Sequence, residues 1–126
     1  VKTVTHENVT AEELGGASAH SIKSGVTHFA CANEAECINQ IKKLFSYIPQ
    51  NCEDDAPRLP YTLGNEKRER LNEIIPINPN QPYDMRVGSN GIVDENSFFE
   101  AHKNFAENIV VGFARLAGRS IGIVAN

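Results

Sequence analysis

The sequence predicts an α/β fold, and three observations lead to that prediction. Residues 109–125 read as two β-strands, because apolar or small residues fill both alternating faces on either side of a tight turn. Residues 34–48 place their apolar side chains at helical spacing, which indicates an amphipathic helix. The stretch between them, residues 49–82, holds all six prolines and marks a connector between two parts of the fold.

The first predicted element is a short helix that begins after Thr10. Thr10 and Glu13 have the spacing of a capping box, in which hydroxyl and carboxylate each accept a backbone N–H bond. The glycines Gly15 and Gly16 end this helix, and a second short helix is expected over residues 17–22.

The most strongly indicated helix of the chain follows a turn and an extended segment. Gly25 is expected to close the second short helix before residues 26–31 run extended. Asn33 is the expected N-cap of the helix over residues 34–48, and Pro49 ends it.

The connector changes the character of the chain from apolar periodicity to proline, asparagine and acidic residues. A short charged helix is expected inside it, over residues 65–75. Residues 84–93 are ambiguous, because Gly88 and Gly91 weaken any helix there.

The last elements are strands. Residues 98–100 read as the entry to another ordered element. The corner at residues 116–118 suits a three-residue loop with Gly118 at positive φ. Two strands cannot bury two faces alone, so we expect the sheet to continue with residues beyond Asn126. The sequence is thus interpreted as an internal segment of a longer protein.

Composition excludes some function classes. The chain has 126 residues and a net charge of −4, with scattered lysines and arginines, which is not the basic surface of a nucleic-acid-binding protein. No apolar run approaches the ~18 residues of a membrane span. The three cysteines are an odd number without framework spacing, which favours reduced thiols inside the cell.

The cysteines do not form a recognisable metal site. Cys31 and Cys37, with His28 nearby, match none of the usual zinc spacings. Cys31 is expected on a strand within residues 26–31 and Cys37 on a helix flank, where small buried side chains are the simpler interpretation. We therefore predict no metal in this chain.

Two features near the first helices have a structural and a functional interpretation. The pair Gly15 and Gly16 suits a helix end and close packing, or a bare backbone that a substrate can approach. His20 is a hydrogen-bonding residue at a turn, or a polar group beside that bare backbone. No standard nucleotide-binding, nucleophile or metalloprotease motif occurs, so the residues alone indicate no catalytic site.

Several strings carry a resemblance to a known family. Residues 1–36, 82–85, 92–100 and 108–126 resemble, in this order, the carboxyltransferase (β) subunits of biotin-dependent acyl-CoA carboxylases. The likeness is greatest to the branch that acts on propionyl-CoA and methylmalonyl-CoA. It spans nearly the whole chain.

The resemblance implies a crotonase-like α/β fold, a superhelix of ββα units arranged as two halves. This chain would span the junction of those halves as an incomplete segment. Residues 1–60 would be the C-terminal part of the first half, residues 61–82 the connector, and residues 83–126 the start of the second half.

The resemblance also implies an activity and its partners. The family moves CO2 from carboxybiotin, held on a biotin carboxyl carrier protein that a biotin carboxylase subunit charges, to the α-carbon of an acyl-CoA. Pairs of backbone N–H groups stabilise the enolate. The subunits form homo-oligomers in the cytoplasm, or in the mitochondrial matrix of eukaryotes. Neither nucleic acid nor a membrane is an expected partner.

The resemblance places no catalytic residue in this chain, because the family's glycine-rich oxyanion motifs would lie before Val1 and after Asn126. It implies that Gly15, Gly16, Ala19 and His20 line the acyl-CoA side of the cavity. Two rival hypotheses remain: a non-catalytic interaction or assembly segment, and a subunit of a biotin-dependent acyl-CoA decarboxylase.

Overall fold

The computed structural model describes residues 8–61, 71–78 and 80–126. A π-helical turn at His20–Ser24 continues the second helix, and residues 71–74 form a further helical turn. The labelled elements are α1 (Ala11–Gly15), α2 (Ala17–Ala19), α3 (Glu34–Phe45), α4 (Met85–Ile92), β1 (Phe99–Ala101), β2 (Val110–Leu116) and β3 (Arg119–Ala125).

Helix α1 begins with the predicted capping box. The Glu13 N–H donates to Thr10 Oγ1 at 3.2 Å, and the Thr10 N–H donates to Glu13 Oε2 at 2.8 Å. The second helix differs from the prediction, because α2 changes into the π-helical turn at His20. The Ser24 hydroxyl donates back to the His20 carbonyl at 3.3 Å and competes with the regular backbone ladder. Gly25, at φ 66°, ends the turn as predicted.

The extended segment at residues 26–31 joins no sheet among the described elements. The expectation that Cys31 lies on a strand is therefore wrong. Instead of a ladder of strand hydrogen bonds, a backbone bond and ring contacts attach the segment to the sheet region. The His28 carbonyl accepts from the His102 N–H at 3.0 Å, and the Phe29 ring stacks on Phe99 with centroids 4.9 Å apart.

Helix α3 has its predicted start and an earlier end. The Asn33 side chain accepts from the Glu36 N–H at 2.9 Å, which confirms the cap. The helix stops at Phe45, three residues before the predicted end. Tyr47 leaves the helix because its side chain is buried against the sheet, where it is only 5% exposed.

A helix forms where the glycines made the sequence ambiguous. Asp84 caps α4 by accepting from the Arg86 N–H at 2.9 Å. Gly91 lies so close to Leu71 that a Cβ would overlap the leucine side chain, so the glycine lets this helix pack on the turn at residues 71–74. That turn belongs to the predicted charged helix over 65–75, of which residues 65–70 lie outside the described ranges.

The predicted strands form an antiparallel hairpin. Leu116 pairs with Arg119, so the loop has two residues, not the three expected. Ala117 and Gly118 both have positive φ, at 53° and 75°, as in the type I′ turn that suits strand twist. The positive φ of Gly118 is therefore confirmed.

The three strands form a sheet in the order β1-β2-β3, and its buried face is the core. Phe99, Val110 and Ala114 are at most 5% exposed. Strand β2 lies between the other two and is largely covered. Val124 on β3 is 80% exposed, so two-sided burial does not extend to this strand among the described residues.

Candidate functional site

The four residues predicted to line an acyl-CoA pocket meet at the junction of α1 and α2. Gly15 and His20 are exposed, whereas Gly16 and Ala19 are half-buried. A Cβ built on Gly15 would lie 3.9 Å from Nε2 of His20, an ordinary contact distance. The structure brings the four residues together, and their role in binding stays a prediction.

Gly16 has a structural reason to be glycine. Its N–H donates to the Glu12 carbonyl at 2.8 Å, which ends α1, and the same residue is the N-cap of α2. Glu12 then reaches across it, and its carboxylate accepts from the Ser18 N–H at 2.9 Å and the Ser18 hydroxyl at 2.8 Å. A Cβ on Gly16 would overlap this carboxylate. The bonds from Ser18 hold the pKa of the Glu12 carboxyl below its ordinary value.

His20 is held by its own turn. Its Nδ1 lies 3.2 Å from the Ser24 hydroxyl, so Nε2 is the ring nitrogen that faces Gly15. An exposed imidazole beside bare backbone can bond to a polar group of a ligand that lies along the junction.

A cleft of about 430 Å³ separates the extended segment and α3 from the sheet. The rings of His28 and His102 meet there edge to face, with centroids 4.1 Å apart. Gln40 Oε1 and His102 Nδ1 are buried, and within the described part of the chain neither has a hydrogen-bond partner. The cleft is polar and carries charges of both signs, from Glu36, Lys43, Glu100 and Lys103.

A second group of side chains, which sequence reasoning missed, joins α3 to the hairpin. We call Tyr47, Asp94, Ser97, Arg115 and Ser120 the Arg115 cluster. Arg115 lies on β2 and is 4% exposed. The sequence does contain one indication of this cluster, which is the arginine itself. An arginine inside an apolar strand needs several buried hydrogen-bond acceptors.

The Arg115 guanidinium bonds to the main chain at three separate places. Its Nη1 donates to the carbonyls of Pro57, at 2.7 Å, and Gly118, at 3.3 Å. Its Nη2 donates to the Ser46 carbonyl at the end of α3. The guanidinium also stacks over the Tyr47 ring, with Cζ 4.8 Å from the centroid.

Tyr47 is bonded at both of its ends. Its hydroxyl donates to the Ser97 carbonyl, and its own carbonyl accepts from the Ser120 hydroxyl on β3. Burial raises the pKa of the Tyr47 phenol, and the nearby Arg115 charge acts in the opposite direction. The neutral phenol is the form that can donate this bond.

Asp94 stabilises the hairpin turn. Its carboxylate accepts from the N–H groups of Ala117, at 2.9 Å, and Gly118, at 2.7 Å. The Asp94 N–H donates to the Arg115 carbonyl at 2.8 Å, and the Arg115 N–H donates to the Ser97 hydroxyl at 3.1 Å. The main chain of Arg115 is therefore held as firmly as its side chain.

An ion pair joins α4 to β1. Arg86 Nη2 lies 2.6 Å from Glu100 Oε1, and Arg86 Nε donates to the same carboxylate at 2.8 Å. These bonds raise the pKa of Arg86, so the guanidinium stays charged.

Neither a membrane-spanning helix nor a metal cluster occurs in the described ranges. None of the helices there has the length and apolar character that a membrane crossing needs. Nor do three or more histidine, cysteine or acidic side chains gather in those ranges as they would around a metal ion.

The fold defines the class of protein. The solved structure of transcarboxylase 12S, with hydrolysed methylmalonyl-coenzyme A bound, superposes with a TM-score of 0.91 and 41% identity. The match covers 99% of this chain and 25% of that one. The α/β fold is thus crotonase-like, as the resemblance implied.

The family follows from the sequence. The carboxyl transferase domain profile matches residues 1–126, so the chain belongs to the carboxyl transferase domain family. The chain is 50% identical over 127 residues to the propionyl-CoA carboxylase carboxyltransferase subunit of Haloferax mediterranei. It is 47% identical over 129 residues to the methylmalonyl-CoA decarboxylase subunit alpha of Veillonella parvula. Both matches cover 100% of this chain and 25% of the relative, so the chain spans a quarter of their length.

Proposed function

We propose that the protein containing these residues transfers CO2 from carboxybiotin, held on a partner domain, to the α-carbon of an acyl-CoA, with propionyl-CoA as the preferred substrate. The observation that supports this most directly is the 50% identity, along the whole chain, to a relative named as a propionyl-CoA carboxylase carboxyltransferase subunit. The family match over the same residues agrees with it.

In this reaction, the proposed task of residues 1–126 is to bind the substrate. Carboxybiotin would supply the activated carboxyl group: its N–C bond breaks, and the biotin nitrogen takes up a proton. The acyl-CoA loses its α-proton, and the resulting enolate forms the new C–C bond to the carboxyl carbon. Backbone N–H pairs stabilise such an enolate. We assign no catalytic residue in this segment, so its contribution is to bind and orient the thioester substrate.

Gly15, Gly16, Ala19 and His20 are the proposed lining of the acyl-CoA side. The bare backbone of Gly15 admits a ligand closely, and Nε2 of His20 faces the same space, whereas the Glu12 carboxylate covers Gly16 on its Cβ side. The half-buried Ala19 adds a small apolar surface.

The proposed partners are a biotin carboxyl carrier protein, a biotin carboxylase subunit and further copies of the chain. The similar transcarboxylase 12S assembles as a hexamer, which supports a homo-oligomer. We propose the cytoplasm, or the mitochondrial matrix of a eukaryote, as the compartment. The proposed division is residues 1–60, 61–82 and 83–126, and the proline-rich composition of residues 49–82, which include this connector, supports it.

The direct test is biotin-dependent decarboxylation of methylmalonyl-CoA, assayed in parallel on the complete protein and on residues 1–126. We expect activity in the complete protein alone. A folded complete protein that leaves methylmalonyl-CoA, malonyl-CoA and longer carboxyacyl-CoA esters intact would contradict the proposal and favour a non-catalytic assembly segment.

The relative from Veillonella parvula favours a second candidate, a biotin-dependent acyl-CoA decarboxylase subunit. The two candidates differ in the source of the carboxyl group. If the complete protein and its partners carboxylate propionyl-CoA with ATP and bicarbonate, the carboxylase is supported. Decarboxylation without any ATP-driven carboxylation supports the decarboxylase.

The proposed pocket lining has its own test in the complete protein. In Gly15→Leu the new side chain enters the space beside His20, so KM for the acyl-CoA should rise about tenfold while kcat stays within about twofold. Ala11→Leu adds similar bulk to an exposed position one helical turn away and should leave both constants unchanged. Equal KM values for the two variants would contradict the proposal that Gly15 lines the acyl-CoA pocket.

A further inference from the structure

We infer that Arg115 is a positioning residue for carboxyl transfer: it holds the end of α3 against the β2–β3 hairpin and so sets the relative position of the two parts of the chain. The inference rests on the proposed function, because it concerns the transfer step of that reaction. It adds a residue outside the predicted pocket lining, more than 90 positions along the chain from it.

The contacts of Arg115 connect the hairpin to two places in the first part of the chain, 58 and 69 positions away. Its acceptors are the carbonyls of Ser46, Pro57 and Gly118, at the end of α3, in the following loop and in the hairpin turn. A guanidinium presents five N–H donors in one rigid plane, so it can serve several carbonyls at once. A lysine ammonium at the end of a flexible stem cannot reproduce this arrangement.

The other residues of the Arg115 cluster hold Arg115 on two sides, towards α3 and towards the sheet. Stacking on Tyr47 restricts the guanidinium on the α3 side. On the sheet side, the Arg115 N–H bonds to Ser97 and the Arg115 carbonyl to Asp94. Ring contacts, such as Phe29 on Phe99, and backbone bonds, such as that from the Leu59 N–H to the Gly118 carbonyl at 3.0 Å, also join the first part of the chain to the sheet. The Leu59 bond reaches only the loop after α3, whereas Arg115 also reaches the Ser46 carbonyl at the end of α3.

This arrangement separates binding from transfer. The proposed lining residues, from Gly15 to His20, are held by bonds within residues 10–27. Loss of Arg115 therefore leaves that surface formed. Carboxyl transfer requires the bound acyl-CoA to lie next to reacting groups that are held by other parts of the fold. A misplacement of these groups by ~1 Å can lower the rate by ~10²-fold. Loss of Arg115 should reduce kcat and spare KM.

The experiment uses the complete protein and biotin-dependent decarboxylation of methylmalonyl-CoA. We expect Arg115→Lys and Arg115→Ala to lower kcat by about 10- to 100-fold, with KM for methylmalonyl-CoA within about twofold of the unsubstituted protein. Arg119 is the matched control, because it is an exposed arginine on the same hairpin, and Arg119→Lys and Arg119→Ala should keep full activity. Guanidinium ion at millimolar concentration should restore part of the activity of Arg115→Ala and none of that of a denatured sample.

Two outcomes would overturn the inference. One is a kcat for both Arg115 variants equal to that of the Arg119 variants; the other is a rise in KM that accounts for the whole loss. If the Arg115 variants do not fold, Tyr47→Phe decides, because it removes only the hydroxyl bond to the Ser97 carbonyl. It should lower kcat severalfold at constant KM, and an unchanged kcat would refute the inference. An unsubstituted complete protein without activity would instead refute the proposed function.

Discussion

The α1–α2 junction and the Arg115 cluster are stabilised by opposite kinds of contact. At the junction, the side-chain bonds join residues three to six positions apart, as in Thr10 with Glu13 and Glu12 with Ser18. In the cluster most of them join residues at least 18 positions apart, and the Ser120 hydroxyl bonds to the Tyr47 carbonyl 73 positions away. The junction is exposed and the cluster is largely buried.

The difference separates two tasks. A surface formed by local bonds can bind a ligand and tolerate substitution, because each bond is formed in solvent and contributes little. A buried cluster of long-range bonds loses more when one member is changed, because its partners are left unsatisfied. Substitutions in the cluster should therefore affect the structure of the sheet, and those at the junction should remain local.

The largest effect is expected for Gly118→Ala. Gly118 has a φ of 75°, and a Cβ there would overlap the Leu59 carbonyl, which is backbone and cannot rotate away. We expect the free energy of local opening of the hairpin to fall by roughly 2–4 kcal/mol. Amide hydrogen exchange of β2 and β3 in the complete protein measures it.

Gly122→Ala is the control for this prediction, since a Cβ at Gly122 meets no atom within 4 Å of the described structure. It should leave the exchange rates of the hairpin nearly unchanged. Equal protection of the hairpin in the two variants would contradict the close approach of Gly118 to the Leu59 carbonyl.

Asp94→Asn should have the next largest effect. The substitution replaces a carboxylate that accepts from both turn N–H groups with an amide that has one acceptor oxygen. We expect the local free energy of opening at Ala117 and Gly118 to fall by about 1–2 kcal/mol. The control is Asp55→Asn, which changes an exposed residue of the loop after α3. Unchanged exchange at both turn amides would contradict the assigned role of Asp94.

The same difference explains what the sequence could predict. The caps at Thr10 and Asn33 are predicted correctly because each depends on a partner three residues away. The positive φ of Gly118 is predicted because a tight turn between two strands requires it. Each of these features is decided within a few neighbouring residues.

Features decided by distant residues are missed or placed wrongly. Helix α3 ends at Phe45 because Tyr47 is drawn to Arg115, about 70 positions further on. Helix α4 forms despite its glycines because Gly91 allows close packing on Leu71. The Arg115 cluster has no local pattern, since its members come from three separate stretches. Composition and periodicity could not have identified such contacts.

At the junction, Thr10→Ala should have a smaller effect that stays local. It removes the hydroxyl that accepts from the Glu13 N–H, and loss of such a cap costs about 1 kcal/mol. Exchange of the α1 amides in the complete protein should accelerate while that of the hairpin stays constant. Thr10→Ser keeps the hydroxyl and should restore most of the protection. Acceleration in the hairpin would refute the separation between the two regions.

The smallest predicted effect concerns the Tyr47 phenol, and it occurs only at alkaline pH. Burial raises its pKa in the folded protein, so the folded state holds the proton more tightly than the unfolded state does. The stabilisation from the neutral phenol is complete below the unfolded pKa of about 10, and it is lost as the pH rises through the higher folded value. Difference absorbance between the complete protein and its Tyr47→Phe variant isolates this titration. Its midpoint should lie above that of N-acetyltyrosinamide in the same buffer, because that small molecule keeps its phenol in water. A Tyr47 midpoint at or below the small molecule's would show that Arg115 outweighs burial, and would make the cluster more open to solvent than its contacts indicate.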